Sequence, residues 1–117
     1  MSRDARQVAE RYFAGLAAGD VDAVLELYAD EAHVVRYEGV AVGRDQIRAF
    51  LVGILDAHGT FQLVSIDDFA AEADVIEWDA TVETRDGMLS TSSVMTLDGS
   101  GAILRHVPSI RGYWGEF

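Results

Sequence analysis

Residues 75–97 read VIEWDATVETRDGMLSTSSVMTL, and this stretch decides the fold class. Apolar and polar side chains alternate from residue 75 to residue 84, which is the pattern of a half-buried β-strand. Asp86-Gly87 is a two-residue hairpin signal, and the alternation resumes behind it from Leu89 to Leu97. The sequence therefore predicts an antiparallel hairpin with one face turned to a core and the other to water.

The first half of the chain has helical periodicity instead. Val8, Tyr12 and Leu16 recur at a spacing of four, which is typical of one buried helical stripe. The same reasoning predicts three helices, over residues 3–18, 20–29 and 44–57. The predicted strands and turns fill the rest: a strand at 33–37, a turn region at 39–43, and strands at 61–66, 75–84, 89–97 and 102–114. Helices first and strands after indicate an α+β fold, with the helices packed on one face of an antiparallel sheet.

Length and charge narrow the function classes. A chain of 117 residues predicts one domain over 1–117. Nine basic and 20 acidic residues give a net charge of −11, which disfavours nucleic acids and anionic membrane surfaces as partners. The chain has no cysteine, which excludes thiolate catalysis and disulfides.

The sequence carries no metal or nucleotide signature. The three histidines lack H-x-x-x-H spacing, and neither a G-x-G-x-x-G turn before a helix nor a phosphate-binding loop is present. We therefore predict no metal and no cofactor. No apolar run of about 18 residues and no signal-peptide pattern occur, so the expected location is the cytoplasm and no membrane association is expected.

Four segments resemble one known superfamily. Arg11–Ala23 (RYFAGLAAGDVDA) is similar to the opening of NTF2-like proteins, in particular of the ketosteroid isomerase and SnoaL-like polyketide cyclase branches. The other similar segments are Tyr28–Ala32, Gly43–Phe50 with its G-x-x-x-I-x-x-F spacing, and Ile110–Trp114. The resemblance implies a curved sheet wrapped around the helices as a cone, with an apolar pocket at the open end.

A homodimer through the outer face of the sheet is also implied by the resemblance. The alternation places Val75, Val94 and Ile103 on that outer face, together with Val107 and Tyr113. A contiguous apolar patch on a sheet is the kind of surface that two identical copies bury against each other.

Tyr12 is the first candidate catalytic residue. It lies where ketosteroid isomerase places the tyrosine that donates a hydrogen bond to a developing enolate oxygen. A phenol in a dry pocket stabilises such an oxyanion without carrying a charge of its own. The alternative is a core tyrosine whose hydroxyl meets a backbone carbonyl.

The two aspartates of that enzyme do not transfer. Arg36 occupies the position of the general base and Ser93 that of the protonated acid, and an arginine is no base at neutral pH. Arg36 could bind a substrate carboxylate or enolate oxygen, or it could pair with an acidic residue on the rim. Glu38 is either a displaced carboxylate base or a solvated turn residue.

His106 is the second candidate catalytic residue. It shares the parity of the last strand with Leu104, Ile110 and Trp114, which predicts an inward side chain. An imidazole in the pocket is a candidate acid or base that titrates near neutral pH. Pro108 could instead introduce a bulge that rotates His106 outward.

The remaining predicted pocket residues are large and apolar. Phe50, Trp78, Met95 and Trp114 are expected to line a cavity for a flat apolar ligand, or to be plain core. With Ser93 and Arg36 as polar pocket groups, the resemblance implies a small acid–base enzyme of isomerase, cyclase or dehydratase type. Its substrate would be an apolar, cyclic carbonyl compound. The alternatives are a non-catalytic binder of an apolar small molecule and a dimerisation module with a filled cavity.

Overall fold

The computed structural model describes residues 4–114 and, within them, the side chains of residues 4–112. The elements in chain order are α1 (Ala5–Ala18), α2 (Val21–Leu25), β1 (Tyr28–Arg36), β2 (Gly39–Val42), α3 (Gly43–His58), β3 (Gln62–Glu72), β4 (Val75–Thr84), β5 (Gly87–Leu97) and β6 (Ile103–Trp114). The helices pack on one face of a six-stranded sheet through a single cluster of buried apolar side chains. The predicted α+β class, with helices on a curved sheet, is confirmed.

The strand order in the sheet is β2-β1-β6-β5-β4-β3. Four of the five neighbouring pairs are antiparallel, but β1 and β6 run parallel, with Val34 opposite His106. The prediction of a purely antiparallel sheet is therefore wrong at this one pair. Parallel neighbours need a long crossover between them, and here the crossover contains α3 and the whole β3–β5 meander.

The second helix is shorter than predicted. Asp20 caps it through the amide of Ala23 at 3.1 Å, but α2 ends at Leu25 rather than at residue 29. Tyr28 already pairs with Ile103 of β6, and the amide of Ile103 donates to the carbonyl of Leu27 at 2.8 Å. Pairing with a distant strand therefore outweighs the local helical pattern.

Two other predicted boundaries also move. The turn region at 39–43 contains β2, and β3 extends to Glu72 rather than ending at residue 66. Both strands lie at the edges of the sheet, where many side chains stay exposed. The alternation that marks half-buried strands is therefore weak in their sequences.

Two irregularities divide β6 into three stretches. On β5, Leu97 faces Ile103 of β6 but the next residue, Thr96, faces Arg105, so one residue of β6 is skipped. The same happens where Thr91 faces Ile110 and Ser90 faces Gly112. Between these shifts the pairing is regular, with Pro108 opposite Ser93. Pro108 therefore makes no bulge. The extra residue Leu104 reverses the alternation, so Ile103 is fully buried and does not belong to the outer face as predicted.

Helix α1 forms one wall of the fold because its buried stripe faces the sheet. Asp4 caps its first turn by accepting from the amides of Arg6 and Gln7, and Gly19 ends it in the left-handed conformation with φ of 68°. Val8, Tyr12 and Leu16 all lie on the buried face, as the periodicity predicted. This stripe brings Tyr12 over the inner face of the sheet.

Gly15 and Gly53 test how closely the helices pack. A Cβ at Gly15 would overlap Cγ2 of the buried Val24, whereas a Cβ at Gly53 would meet no atom within 4 Å. We expect Gly15→Ala to destabilise the protein by about 1–3 kcal/mol, because the α1–α2 contact must open. Gly53→Ala is the matched control and should stabilise by about 0.5–1 kcal/mol. Urea unfolding measures both changes, and equal effects in the two variants would contradict the close α1–α2 approach.

The homodimer stays a prediction. Val75 and Val94 lie on the outer face and are 40% and 39% exposed, so association would remove apolar area from water. We expect a dimer in sedimentation velocity at micromolar concentration, and a shift towards monomer in Val94→Glu. A wild-type protein that sediments as a monomer throughout that range would refute the prediction.

Candidate functional site

An inner cavity of about 610 Å³ lies between the helices and the inner face of the sheet. Most of its wall is apolar and comes from α1, α3, β4 and β6. The residues that dominate this wall are Tyr12, Phe13, Leu16, Phe50, Ile54, Phe61, Trp78, Val82, Pro108 and Ile110. Polar side chains border it as well, and they are Arg36, Tyr37, Glu38, His58, Thr91, Ser92, Ser93 and Ser109.

Five of the predicted site residues border the inner cavity, and they come from distant parts of the chain. These are Tyr12, Arg36, Phe50, Trp78 and Ser93. Met95 and His106 are fully buried behind the wall and do not border the cavity. Trp114 pairs with Met88 through its backbone, and its side chain lies outside the described residues.

Tyr12 is held by aromatic neighbours. Its ring centroid lies 5.7 Å from that of Trp78 and 5.4 Å from that of His106, the latter in an edge-to-face arrangement. Among the described residues, its hydroxyl has no hydrogen-bond partner. Burial raises the pKa of Tyr12 above its ordinary value of 10, so the phenol keeps its proton and remains a donor.

A buried hydrogen-bond chain runs behind the cavity wall from Tyr28 through His106 to Ser93. The Tyr28 hydroxyl lies 2.8 Å from Nδ1 of His106, and Oγ of Ser93 lies 2.9 Å from Nε2. The three residues of this hydrogen-bond chain lie on β1, β6 and β5, and of the three only Ser93 borders the cavity. Tyr28 is not among the predicted site residues, because the local sequence pattern predicts a helix there. The spacing of Tyr28, Ala32 and Val34 on one strand parity is the signal that could have shown it.

His106 does not titrate near neutral pH. Complete burial lowers its pKa from 6.5 to about 3, and its two hydrogen-bond partners are neutral hydroxyls rather than a carboxylate. The imidazole is therefore neutral at physiological pH, contrary to the titration expected from the sequence. It is buried, as predicted.

The neutral imidazole has one N–H, and the partners indicate which nitrogen carries it. If Nδ1 carried the proton, the Tyr28 hydroxyl would need another acceptor, and the described residues offer none. With the proton on Nε2, Tyr28 donates to Nδ1 and Nε2 donates to Ser93 Oγ, so the donors of Tyr28 and His106 are both satisfied. The Ser93 hydroxyl proton is then free to point into the cavity.

The low pKa of His106 makes the protein acid-sensitive. Because the pKa is lower in the folded state, the unfolded chain binds this proton more readily between pH 6.5 and about 3. The contribution to stability is complete above pH 6.5 and is lost as the pH falls, by up to about 1.4 kcal/mol per pH unit. We expect His106→Gln to flatten the dependence of the free energy of unfolding on pH between pH 6.5 and 4.

His33→Gln is the matched control for this experiment, because His33 is exposed on β1. It should keep the wild-type slope in urea unfolding series at several pH values. An unchanged slope in His106→Gln would show that the imidazole is already charged or solvated in the folded state.

Arg36, Glu38 and His58 form the polar part of the mouth. Nη1 of Arg36 lies 3.5 Å from Oε1 of Glu38, and the guanidinium lies 5.2 Å above the ring of Phe50. Arg36 therefore pairs with a rim carboxylate and also borders the cavity, while its binding of a substrate oxygen stays a prediction. Among the described residues, Glu38 is the only carboxylate that borders the inner cavity.

An outer groove of about 540 Å³ adjoins the inner cavity. It runs along α3 and shares with the inner cavity the side chains of Arg36, Glu38, Phe50, Ile54 and His58. The two spaces therefore meet at Arg36.

The described residues contain no group of three His, Asp or Glu side chains placed to hold a metal ion. Within residues 4–114, no helix has the length and apolar character needed to cross a membrane.

Solved structures share this architecture at low sequence identity. An NTF2-like protein from Anabaena variabilis superposes with a TM-score of 0.82 at 17% identity, covering 95% of this chain and 88% of that one. A SnoaL-like protein of unknown function from Burkholderia thailandensis gives 0.75 at 18% identity over 92% and 95% of the two chains. A Sinorhizobium meliloti protein proposed to be a polyketide cyclase gives 0.75 at 20% identity over 88% and 94%. These likenesses show the fold.

The family follows from the sequence match. No curated protein matches the chain significantly. The SnoaL-like domain model, however, matches residues 9–106, which include Tyr12, the mouth residues, Ser93 and His106. This chain therefore belongs to the SnoaL-like domain family and has the NTF2-like fold.

Proposed function

We propose that the protein is a small acid–base enzyme of isomerase, cyclase or dehydratase type. Its substrate is an apolar, cyclic carbonyl compound bound in the inner cavity. One observation supports this proposal above the others. Two neutral hydroxyl donors, Tyr12 and Ser93, border the same apolar cavity, and neither is occupied as a donor by a described residue in the arrangement derived above.

The two hydroxyls suit a developing oxyanion. Tyr12 keeps its proton because burial raises its pKa, and Ser93 is oriented by the N–H of His106. Donors fixed in an apolar site stabilise negative charge strongly, because they need no reorganisation as the charge forms.

His106 serves as a positioning residue in this proposal. It lies behind Ser93 and Tyr12, does not border the cavity and has a pKa of about 3, so it is a weak proton acceptor. For the same reason, Ser93 is a hydrogen-bond donor here rather than a nucleophile. The imidazole would be too weak a base to take its proton.

Glu38 is the proposed general base. Its carboxylate takes a proton from the carbon next to the substrate carbonyl, and the electron pair moves onto the carbonyl oxygen, which accepts hydrogen bonds from Tyr12 and Ser93. Return of the proton to another carbon gives isomerisation. Attack of the enolate carbon on a second carbonyl of the same molecule forms a C–C bond instead, and the resulting alkoxide takes the proton back from Glu38, which gives cyclisation.

The proton-abstraction step can be tested without knowing the product. 2-Tetralone is an apolar bicyclic ketone, and NMR in D₂O follows the exchange of its α-protons. We expect the wild type to accelerate exchange and Tyr12→Phe to lower the rate by about 10²–10³-fold. Ser93→Ala should also slow it, and Glu38→Gln should remove it.

Ser90→Ala is the matched control for Ser93→Ala, because Ser90 lies on β5 outside the inner cavity and should leave the rate unchanged. Full exchange activity in Tyr12→Phe would contradict the proposed donor role. Thermal unfolding checks that each variant is folded.

A non-catalytic binder of an apolar molecule is the second candidate. One observation favours it: the side chain of Glu38 is 66% exposed and is already paired with Arg36, whereas a poised base is usually desolvated. Binding of 2-tetralone with no acceleration of exchange would support this candidate over the enzyme.

A further inference from the structure

Arg36 differs from the other ion-paired arginines of this chain. In its pair, the Arg36 side chain is 25% exposed, whereas the arginines of the other ion pairs are 38% to 60% exposed. It is also the only arginine that borders the inner cavity or the outer groove in the described part of the chain, and the sequence contains no lysine. A single cation therefore lies where the two spaces meet.

The guanidinium of Arg36 is only partly satisfied. Its Nε is buried and has no hydrogen-bond partner among the described residues, and no hydrogen bond of Nη2 is found there either. Glu38 approaches Nη1 at 3.5 Å, which is longer than a good charge-assisted hydrogen bond. A half-buried cation with an unpaired donor is unfavourable unless a partner completes it.

The chain's other arginines show what completion looks like. Nη1 of Arg111 lies 2.8 Å from Asp79, and Nη2 of Arg85 donates to the carbonyls of Asp56 and Ala57 at 3.3 and 2.6 Å. Arg36 has no such partner on its Nε–Nη2 edge. Because Nε is buried, Nη2 is the donor of this edge that a further anionic partner can reach.

The surroundings of the guanidinium also favour a ligand with a charged end and an apolar body. Phe50 lies 5.2 Å from the guanidinium, and Phe50, Tyr12 and Trp78 all border the inner cavity. The Glu38 pair is no obstacle, since ion pairs with an exposed partner contribute only about 0–1 kcal/mol.

We infer that the ligand of the inner cavity carries a carboxylate, which binds the Arg36 guanidinium through its unpaired Nη2 at the mouth while the apolar ring fills the inner cavity. The inference rests on the proposed function for the presence of a ligand, and it narrows the substrate class from a cyclic ketone to a cyclic keto acid. Arg36 is then the residue that selects for charge.

A matched pair of probes tests the inference by binding alone. 2-Naphthoate and 2-naphthamide have the same ring and similar shape, but only the first is charged at pH 7. We expect calorimetry to show that wild type binds the naphthoate at least about tenfold more tightly than the amide. Arg36→Gln should bind both equally.

Three further variants sharpen the result. Arg36→Lys keeps the charge but loses the planar guanidinium, so it should retain only part of the preference. If Arg36→Gln does not fold, the result for Arg36→Lys tests the inference. Glu38→Gln removes the competing carboxylate and should tighten naphthoate binding by up to about fivefold. Arg48→Gln makes the same charge change on the outside of α3, where Arg48 pairs with Asp22, and should leave the preference unchanged.

Equal affinities of the wild type for the two probes would overturn the inference, as would a preference that survives in Arg36→Gln or no binding of naphthoate at millimolar concentration. These outcomes are separate from failure of the proposed function. A protein that prefers naphthoate but does not exchange the α-protons of 2-tetralone is a carboxylate binder without the enzyme activity. A protein that exchanges those protons but has no preference is an enzyme for neutral ketones.

Discussion

The hydrogen-bond chain from Tyr28 through His106 to Ser93 is the constraint on which the site depends. Its hydrogen bonds join β1, β6 and β5 across the interior of the protein. Two of these strands, β1 and β6, are the parallel pair within the sheet. Three polar side chains inside an apolar core are tolerated only because each has a partner, since a buried group left unpaired costs about 1–3 kcal/mol. These two hydrogen bonds therefore fix the relative position of the three strands as well as the orientation of Ser93.

The Tyr28–His106–Ser93 hydrogen-bond chain lies between a part of the interior that is filled with side chains and the inner cavity. Met95 and Ile103 are fully buried beside it and pack as ordinary core. On its other side, the floor of the inner cavity begins with Tyr12 and Ser93. A neutral imidazole at this boundary supplies an N–H to the cavity wall without placing a charge in the core, which burial would strongly disfavour.

Charge is distributed unevenly between the surface and the site. The protein carries a net charge of −11. Arg36, the least exposed of its ion-paired arginines, nevertheless lies at the mouth of the cavity. The acidic surface repels other anionic surfaces, and a single arginine at the mouth gives one point of attraction for an anion. In the proposed function, Tyr12, Ser93 and Arg36 thus divide the binding of a ligand between neutral donors in the interior and one charge at the entrance.

The sequence by itself determined the elements whose pattern is local. The four-residue spacing of Val8, Tyr12 and Leu16 predicts α1, and the alternation around Trp78 predicts β4, because in each case the buried face repeats within a few residues. His106 is buried as predicted, although two register shifts break the parity with Leu104 and Trp114 on which that prediction rested. The resemblance carried by Arg11–Ala23 led to the family. Five predicted pocket residues, among them Tyr12, Arg36 and Ser93, meet at one cavity.

Only the tertiary structure decided what depends on distant partners. Tyr28 belongs to a strand because β6 pairs with it, although its local sequence favours a helix. Ile103 is buried because Leu104 interrupts the alternation, and no signal in the sequence marked that bulge. The chemistry of His106 likewise depends on complete burial, which lowers its pKa to about 3, and on two neutral hydrogen-bond partners from other strands. A side chain's protonation follows from the groups that surround it, and those groups are brought together only by folding.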